Sequence, residues 1–418
     1  MSIKFRLTIL SFLQFFIWGA WLITIGAYWF QTKKWSGAEF GAIFSTMGIS
    51  ALFMPTLTGI LADRMINAEK LLGVCHILGG AMLLLVPMVE QPATMFPVML
   101  VNMLFYMPTI SLANTVSYTV LKNQGLNVVK DFPPIRVWGT IGFIAAMWTV
   151  SLLHLEKTTG QFYVAAGASF LLAIYSFTLP QCPPPLKGKS NIEAGASMGK
   201  NVFSLFRNRK LALFFIFSML LGAALQLTNA YGDTFLHDFA KIPAYTDTLA
   251  VKFPAIVMSV SQISETLFIL AIPFFLRKFG IKKVMLISMI AWVLRFGLFA
   301  YGNPGSGFWM IILSCIIYGM AFDFFNISGS LFVETESSPK IRASAQGIFM
   351  MMTNGIGAVL GSVVSGIVID KFFTKADGDM VWHSIWLSFA IYALVVAIFF
   401  AILFRHKHHP AEVQPVSH

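Results

Sequence analysis

Apolar runs of about 20 residues or more, separated by short polar or basic turns, recur along the whole chain; that is the length a helix needs to cross a hydrocarbon core about 30 Å thick. Twelve such runs predict helices near 7–30, 38–62, 70–89, 94–121, 134–154, 161–180, 211–232, 251–276, 282–301, 307–333, 342–369 and 381–404. Strands of a membrane barrel would instead alternate apolar and polar positions over about 10 residues, a pattern the sequence does not show. Between the sixth and seventh runs lies the most polar stretch, 181–210. It opens with Pro183-Pro184-Pro185 and carries Lys187, Lys189, Lys200, Arg207, Arg209 and Lys210. A proline- and charge-rich segment halfway along marks a boundary. The expected organisation is all-α: an N-terminal six-helix bundle (1–180), a linker (181–210), a C-terminal six-helix bundle (211–404) and a tail (405–418).

Composition points the same way. Of 418 residues, 57% are hydrophobic and only 11% charged, against about 25% charged in soluble domains. Too little charge is present to cover a water-facing surface, so the lipid bilayer is the expected surroundings and the backbone must be satisfied within helices. The formal net charge of +11 does not mark a nucleic-acid binder, because the basic residues sit at the ends of apolar runs, where topology selection places them. With the N-terminus inside, the inner segments hold 20 Lys and Arg and the outer segments 7, with Arg136 and Arg295 inside runs. That imbalance puts both termini in the cytoplasm. Lys4 and Arg6 ahead of the first run resemble a signal peptide. The run continues to Phe30, contains Gln14, Trp18 and Trp21, and lacks a small-residue cleavage site, so a retained first helix is expected. Cys75, Cys182 and Cys315 are an odd set without metal-ligand spacing and are read as free. No nucleophile–base pair or metal-ligand spacing occurs among the buried polar positions, so neither enzyme chemistry, nor a cofactor, nor a metal is expected.

Charges inside the runs carry more information. Each costs about 2.5–3.5 kcal/mol on insertion scales and normally faces a cavity or a partner. Glu265 and Asp323 lie deep in helices 8 and 10, Arg295 in helix 9, and Arg136 near the inner end of helix 5. One reading pairs an acid with Arg295 as a fixed ion pair and lets Arg136 snorkel to the interface. The other makes them a solute and proton site, since low dielectric disfavours the ionised carboxylate. Residues at i, i+3, i+4 and i+7 share a helix face. On that spacing helix 5 presents Arg136, Thr140 and Phe143; helix 7, Gln226 and Asn229; helix 8, Gln262 and Glu265; helix 10, Tyr318, Phe322 and Phe325; helix 1, Gln14, Trp18 and Trp21. Amides and a carboxylate suit vicinal hydroxyls, and aromatic faces suit a flat ring. Phosphate would call for clustered Arg or Lys. The pattern fits an uncharged, polar, partly flat solute; equally, such amides can simply hold helices together.

The two halves echo each other. Gly59-Ile60-Leu61-Ala62-Asp63-Arg64 follows helix 2, and Arg277-Lys278-Phe279-Gly280-Ile281-Lys282-Lys283 follows helix 8. Parallel repeats of this kind place a site at the midplane between halves. The first run resembles the signature loop of the major facilitator superfamily, departing from it at Ile66-Asn67. More specific are Ser11–Trp21, Asp131–Phe143 with its Phe132-Pro133-Pro134-Ile135-Arg136, Ser261–Phe268, Ala321–Ser330, Arg342–Gly347 and Val416-Ser417-His418. In these runs, and over nearly its whole length, the chain resembles the bacterial nucleoside:proton symporter family of that superfamily. The resemblance implies an inner-membrane symporter working by alternating access as a monomer, with nucleosides and protons as its partners. It implies that Arg136, Thr140, Phe143, Gln226, Asn229, Gln262, Glu265, Tyr318 and Phe322 line the substrate site, with Glu265 and Asp323 as proton-coupling candidates. A drug or sugar carrier of the same fold and a non-transporting sensor stay open, and Asp233, placed after helix 7, has no assigned role.

Overall fold

The computed structural model describes residues 2–185, 205–337 and 342–406. Most of the linker expected at 181–210 and of the tail expected at 405–418 lies outside these residues. Among them the chain is helical with no sheet. The first six helices are α1 (Ile3–Gly19), α2 (Gly37–Arg64), α3 (Ala68–Leu85), α4 (Pro92–Asn123), α5 (Val128–Leu152) and α6 (Gly160–Phe177). Then come α7 (Arg209–Asp238) and a long helical stretch, Pro254–Tyr301, bent at Gly280 into α8 (254–279) and α9 (281–301). Gly280 takes φ 74°, a backbone angle open to glycine and costly to other residues. The last helices are α10 (Phe308–Glu336), α11 (342–373, with π-helical turns at Met351–Gly357 and Ile369–Phe373) and α12 (Trp382–Leu403).

Local chemistry sets several ends. Ser36 and Glu39 form a capping box at the start of α2, satisfying donors that a helix N-terminus leaves free. The Asn127 side chain accepts from the Lys130 amide at 3.1 Å, which starts α5 at Val128 rather than at the expected 134. Other boundaries differ from the hydropathy pattern as well. The first run breaks after Gly19 and resumes at Ile25, passing into a π-helical turn at Tyr28–Lys33. Trp21, Leu22 and Ile23 are buried in that break, so tertiary packing replaces the helix there. The eighth helix begins at Pro254 rather than near 251, with Leu249–Lys252 forming a separate turn. Helix α7 runs to Asp238, six residues beyond the expected end, so Asp233 lies within it.

Helices α1 and α5, α3 and α6, and α4 with α2 and α3 pack together; so do α8 and α9 with α10 and α12, and α7 with α11. The two groups meet through α2 against α11, α5 against α8, and the Ile25–Ala27 turn against α7. Small residues permit the α2–α11 approach. A Cβ on Gly48 would stand 2.6 Å from the Gly355 oxygen, and one on Gly41 or Gly366 would strike the facing backbone at Ser362 or Gly37. Such small-residue seams are how helices pack where lipid removes the hydrophobic drive between them. The seam covers one end of α2 only: most of 37–50 is buried, whereas Phe53, Leu57 and Ile60 are exposed. Outward apolar side chains such as Leu270, 77% exposed on α8, would be unusual in water and are at home against acyl chains.

Candidate substrate cleft

The bonds joining the two groups of helices gather at the end remote from the termini. The amides of Gly37 and Ala38 donate to Asp370 at 2.6 Å each, Gln31 donates to Asp238 at 3.1 Å, and Trp148 Nε1 donates to Ser259 Oγ at 2.9 Å. Nearby, Lys241 Nζ stands 2.6 Å from Asp379; its hydrogen bond holds that exposed carboxyl below the usual carboxylate range. Toward the termini, α2 loses the seam. The space between the groups is therefore closed at one end and lined by the polar helix faces below.

A narrow, partly open cavity lies beneath the closed end, lined by Ile23 and Met147 from the first group and by Thr228, Asn229, Met258, Ser261, Gln262, Arg295 and Tyr318 from the second. Of the nine expected substrate residues it brings together Asn229, Gln262 and Tyr318. Arg136, Thr140, Phe143, Gln226, Glu265 and Phe322 are outside its lining, on the same helix faces. Tyr318 and Phe322 stack with ring centres 5.9 Å apart and planes 7° apart, and Trp292 meets Tyr318 edge-on at 6.0 Å. Gln226 is 7% exposed and its Oε1 is buried without a hydrogen-bond partner. Arg136 lies with its guanidinium 4.0 Å over the Phe15 ring, the cation–π geometry. Gly139 makes room for that arrangement: a Cβ there would stand 2.7 Å from both Phe15 and the Arg136 guanidinium.

Glu265 is close enough to Arg136, on the opposite group, for each to feel the other's charge, and close enough to Asp323 for the same. No ion pair forms between them. The position of Glu265 depends on Gly319, whose Cα faces the α8 backbone: a Cβ would stand 2.6 Å from the Ser264 carbonyl and 2.7 Å from the Glu265 nitrogen. Arg295 does not form the ion pair with Glu265 or Asp323 that one reading of the sequence allowed. It is fully buried and donates to the Ser314 carbonyl at 2.7 Å and to Thr228 Oγ1 at 3.3 Å, with Tyr318 stacked 4.6 Å from its guanidinium. Its Nη2 has no hydrogen-bond partner. Arg295 is not among the nine expected substrate residues, yet it is part of the lining.

Gln14 also sits differently from its expected face. Its amide donates to Thr109 Oγ1 at 2.7 Å and its oxygen meets His76 Nε2 at 2.9 Å, while His76 Nδ1 meets Ser169 at 3.2 Å. This network ties α1, α3, α4 and α6 together and leaves Gln14 no free group for a solute. Cys75, Cys182 and Cys315 are free and buried. Among the described residues, one cluster has metal-ligand types, Glu156, Asp233 and His237. Its first member is 77 positions from the second, so spacing along the chain gave no sign of it beyond the Asp233–His237 i,i+4 step.

Among the described residues, twelve helices in two packed groups, with a polar and aromatic cleft closed at one end, define a secondary transporter of the major facilitator fold. The chain belongs to the Nucleoside H+ symporter family, whose sequence profile matches residues 1–409. It is similar to the xanthosine permease of Escherichia coli (strain K12), 52% identical over 415 residues covering 99% of each chain. It is similar to the same degree, 52% over 421 residues and 100% of each chain, to the nucleoside permease NupG of that organism. A crystal structure of the D323A mutant of nucleoside transporter NupG superposes with a TM-score of 0.93 over 97% of this chain and 100% of the other, at 52% identity. The relatives are permeases, and this chain is a multi-pass membrane transporter, not an enzyme.

Proposed function

We propose that this chain carries nucleosides inward across a bacterial inner membrane together with protons, by alternating access of two bodies, 1–180 and 211–404, working as a monomer with both termini in the cytoplasm. The observation that carries this reading is the cavity roofed by both groups of helices, in which Asn229, Gln262, Arg295 and Tyr318 converge. Amide and guanidinium donors suit ribose hydroxyls and base carbonyls, and the Tyr318–Phe322 stack supplies a face for a flat base. Arg136, Thr140, Phe143, Gln226 and Glu265 complete the site as the groups close on the solute. With the termini inside, the α2–α11 seam closes the outward end and the cleft opens to the cytoplasm. Proton and nucleoside then favour each other's binding reciprocally, with Glu265 the first proton carrier and Asp323 the second. Radiolabelled uridine and xanthosine uptake in transport-deficient cells tests the reading: uptake should appear with the gene and collapse with a protonophore. Uptake indifferent to the protonophore sinks the proton coupling, and displacement of uridine by sugars or cationic dyes sinks the substrate class.

A further inference from the structure

Gln226 and Asn229 do not end their stripe on α7. Continuing by four and four residues, the same face carries Asp233 and His237 toward the closed end. There Glu156, from the turn between α5 and α6 of the other group, reaches across. Its Oε2 stands 2.9 Å from His237 Nε2, Asp233 Oδ2 stands 3.5 Å from the same nitrogen, and the Ala255 amide donates to Glu156 Oε1 at 3.2 Å. The three side chains are 4%, 0% and 4% exposed for Glu156, Asp233 and His237. Both carboxylate oxygens of Asp233 lack a hydrogen-bond partner. The other charged groups within reach are Lys157 and Asp238, with the Ser151 hydroxyl beside Glu156; Asp238 is already held by Gln31 and Trp382.

Charge accounting makes this arrangement conditional. With a neutral imidazole, two ionised carboxylates face each other in a patch sealed from water, and buried unpaired charge is strongly unfavourable. A proton on the imidazole turns the same three groups into an attractive set that spans the two halves. A divalent metal would also neutralise the carboxylates. However, tetrahedral ligands about 2.0–2.1 Å from zinc stand roughly 3.3 Å from each other, and the Nε2–Oε2 separation of 2.9 Å is tighter than that, although neither ring nitrogen of His237 makes a hydrogen bond.

We propose that Glu156, Asp233 and His237 form a proton-binding latch, separate from Glu265 and Asp323, that ties closure of the end of the cleft remote from the termini to uptake of a proton. The latch rests on the alternating-access reading but on no particular solute. A proton entering from that side joins the imidazole; its loss leaves the carboxylates in mutual repulsion and the halves part. Closure with bound solute then carries a proton requirement at the gate itself.

Spin labels at Thr158→Cys and Thr246→Cys, both exposed and on opposite halves, read the gap by pulsed electron paramagnetic resonance on full-length protein in nanodiscs, the native cysteines being buried. As pH rises from about 5 to 8, the range in which an unperturbed imidazole loses its charge, a longer distance should grow in at the expense of the short one. One linked proton allows up to about tenfold change in their ratio per pH unit. Asp233→Asn leaves one acid for one imidazole and should hold the short distance throughout; Glu156→Gln should favour the long one throughout. A wild-type gap that widens on nucleoside addition or removal but ignores pH overturns the latch and leaves the carrier reading standing. So does Asp233→Asn titrating like wild type. A pH response abolished by EDTA assigns the cluster to a metal and overturns it as well. A gap fixed under every condition, at both ends of the cleft, sinks alternating access itself.

Discussion

Replacing Gly319 by alanine adds one methyl where α10 crosses α8. The new Cβ would stand 2.6 Å from the Ser264 carbonyl carbon and 2.7 Å from the Glu265 nitrogen, against 3.4–4 Å for ordinary contact. Both obstacles are backbone, so no side chain can swing aside and α8 must retreat by about 1 Å. Overpacking of this kind costs about 1–3 kcal/mol, while the intrinsic helix preference for alanine returns up to about 1 kcal/mol. The net loss falls beside Glu265, Tyr318 and Phe322, where a displacement of about 1 Å can cost a hundredfold in function. Gly297→Ala on α9 is the control, because nothing lies within 4 Å of its Cβ. Thermal unfolding in detergent and uridine binding by calorimetry read the pair. Gly319→Ala should lower Tm and weaken uridine at least tenfold, and Gly297→Ala should do neither. A Gly319→Ala protein with wild-type Tm and affinity would refute the close approach and with it the account of how Glu265 is placed.

Glu265→Gln keeps the shape and removes the ionisable group. One coupled proton supports about tenfold accumulation per unit of pH gradient, so the variant should equilibrate nucleoside without concentrating it while still exchanging it in counterflow; uphill uptake that persists removes Glu265 from the coupling. Phe143→Ala should weaken nucleoside affinity more than it lowers Tm, and unchanged affinity argues against a stacking role. Arg295→Lys loses the planar fork that reaches Ser314 and Thr228 and the stack on Tyr318, so uridine affinity should fall several-fold, measured by the same calorimetry; an unaffected Kd would return Arg295 to a purely structural part. Asp379 has a folded pKa depressed by Lys241. Its stabilising share is present above the ordinary carboxylate pKa and disappears as pH falls through the lowered value. Asp379→Asn should therefore lower Tm slightly at neutral pH and not at strongly acid pH, and a Tm difference that grows on acidification contradicts the sign.

Hydropathy alone located the twelve helices of the described residues, because the bilayer imposes one length on every span and forbids unsatisfied backbone between its faces. Two boundaries moved for reasons the structure shows: Asn127 started α5 early, and buried Trp21, Leu22 and Ile23 broke the first run. Helix periodicity put Asn229, Gln262 and Tyr318 on faces that the fold joins around one cavity. It also put Gln14 on such a face, although His76 and Thr109 consume both of its polar atoms. The face a residue occupies is a property of its own helix and can be read along the chain. Which neighbour that face meets is not: Arg295 finds hydroxyls and a carbonyl instead of an acid, and Glu156 meets His237 across 81 positions of sequence, because those contacts exist only once the two halves have packed.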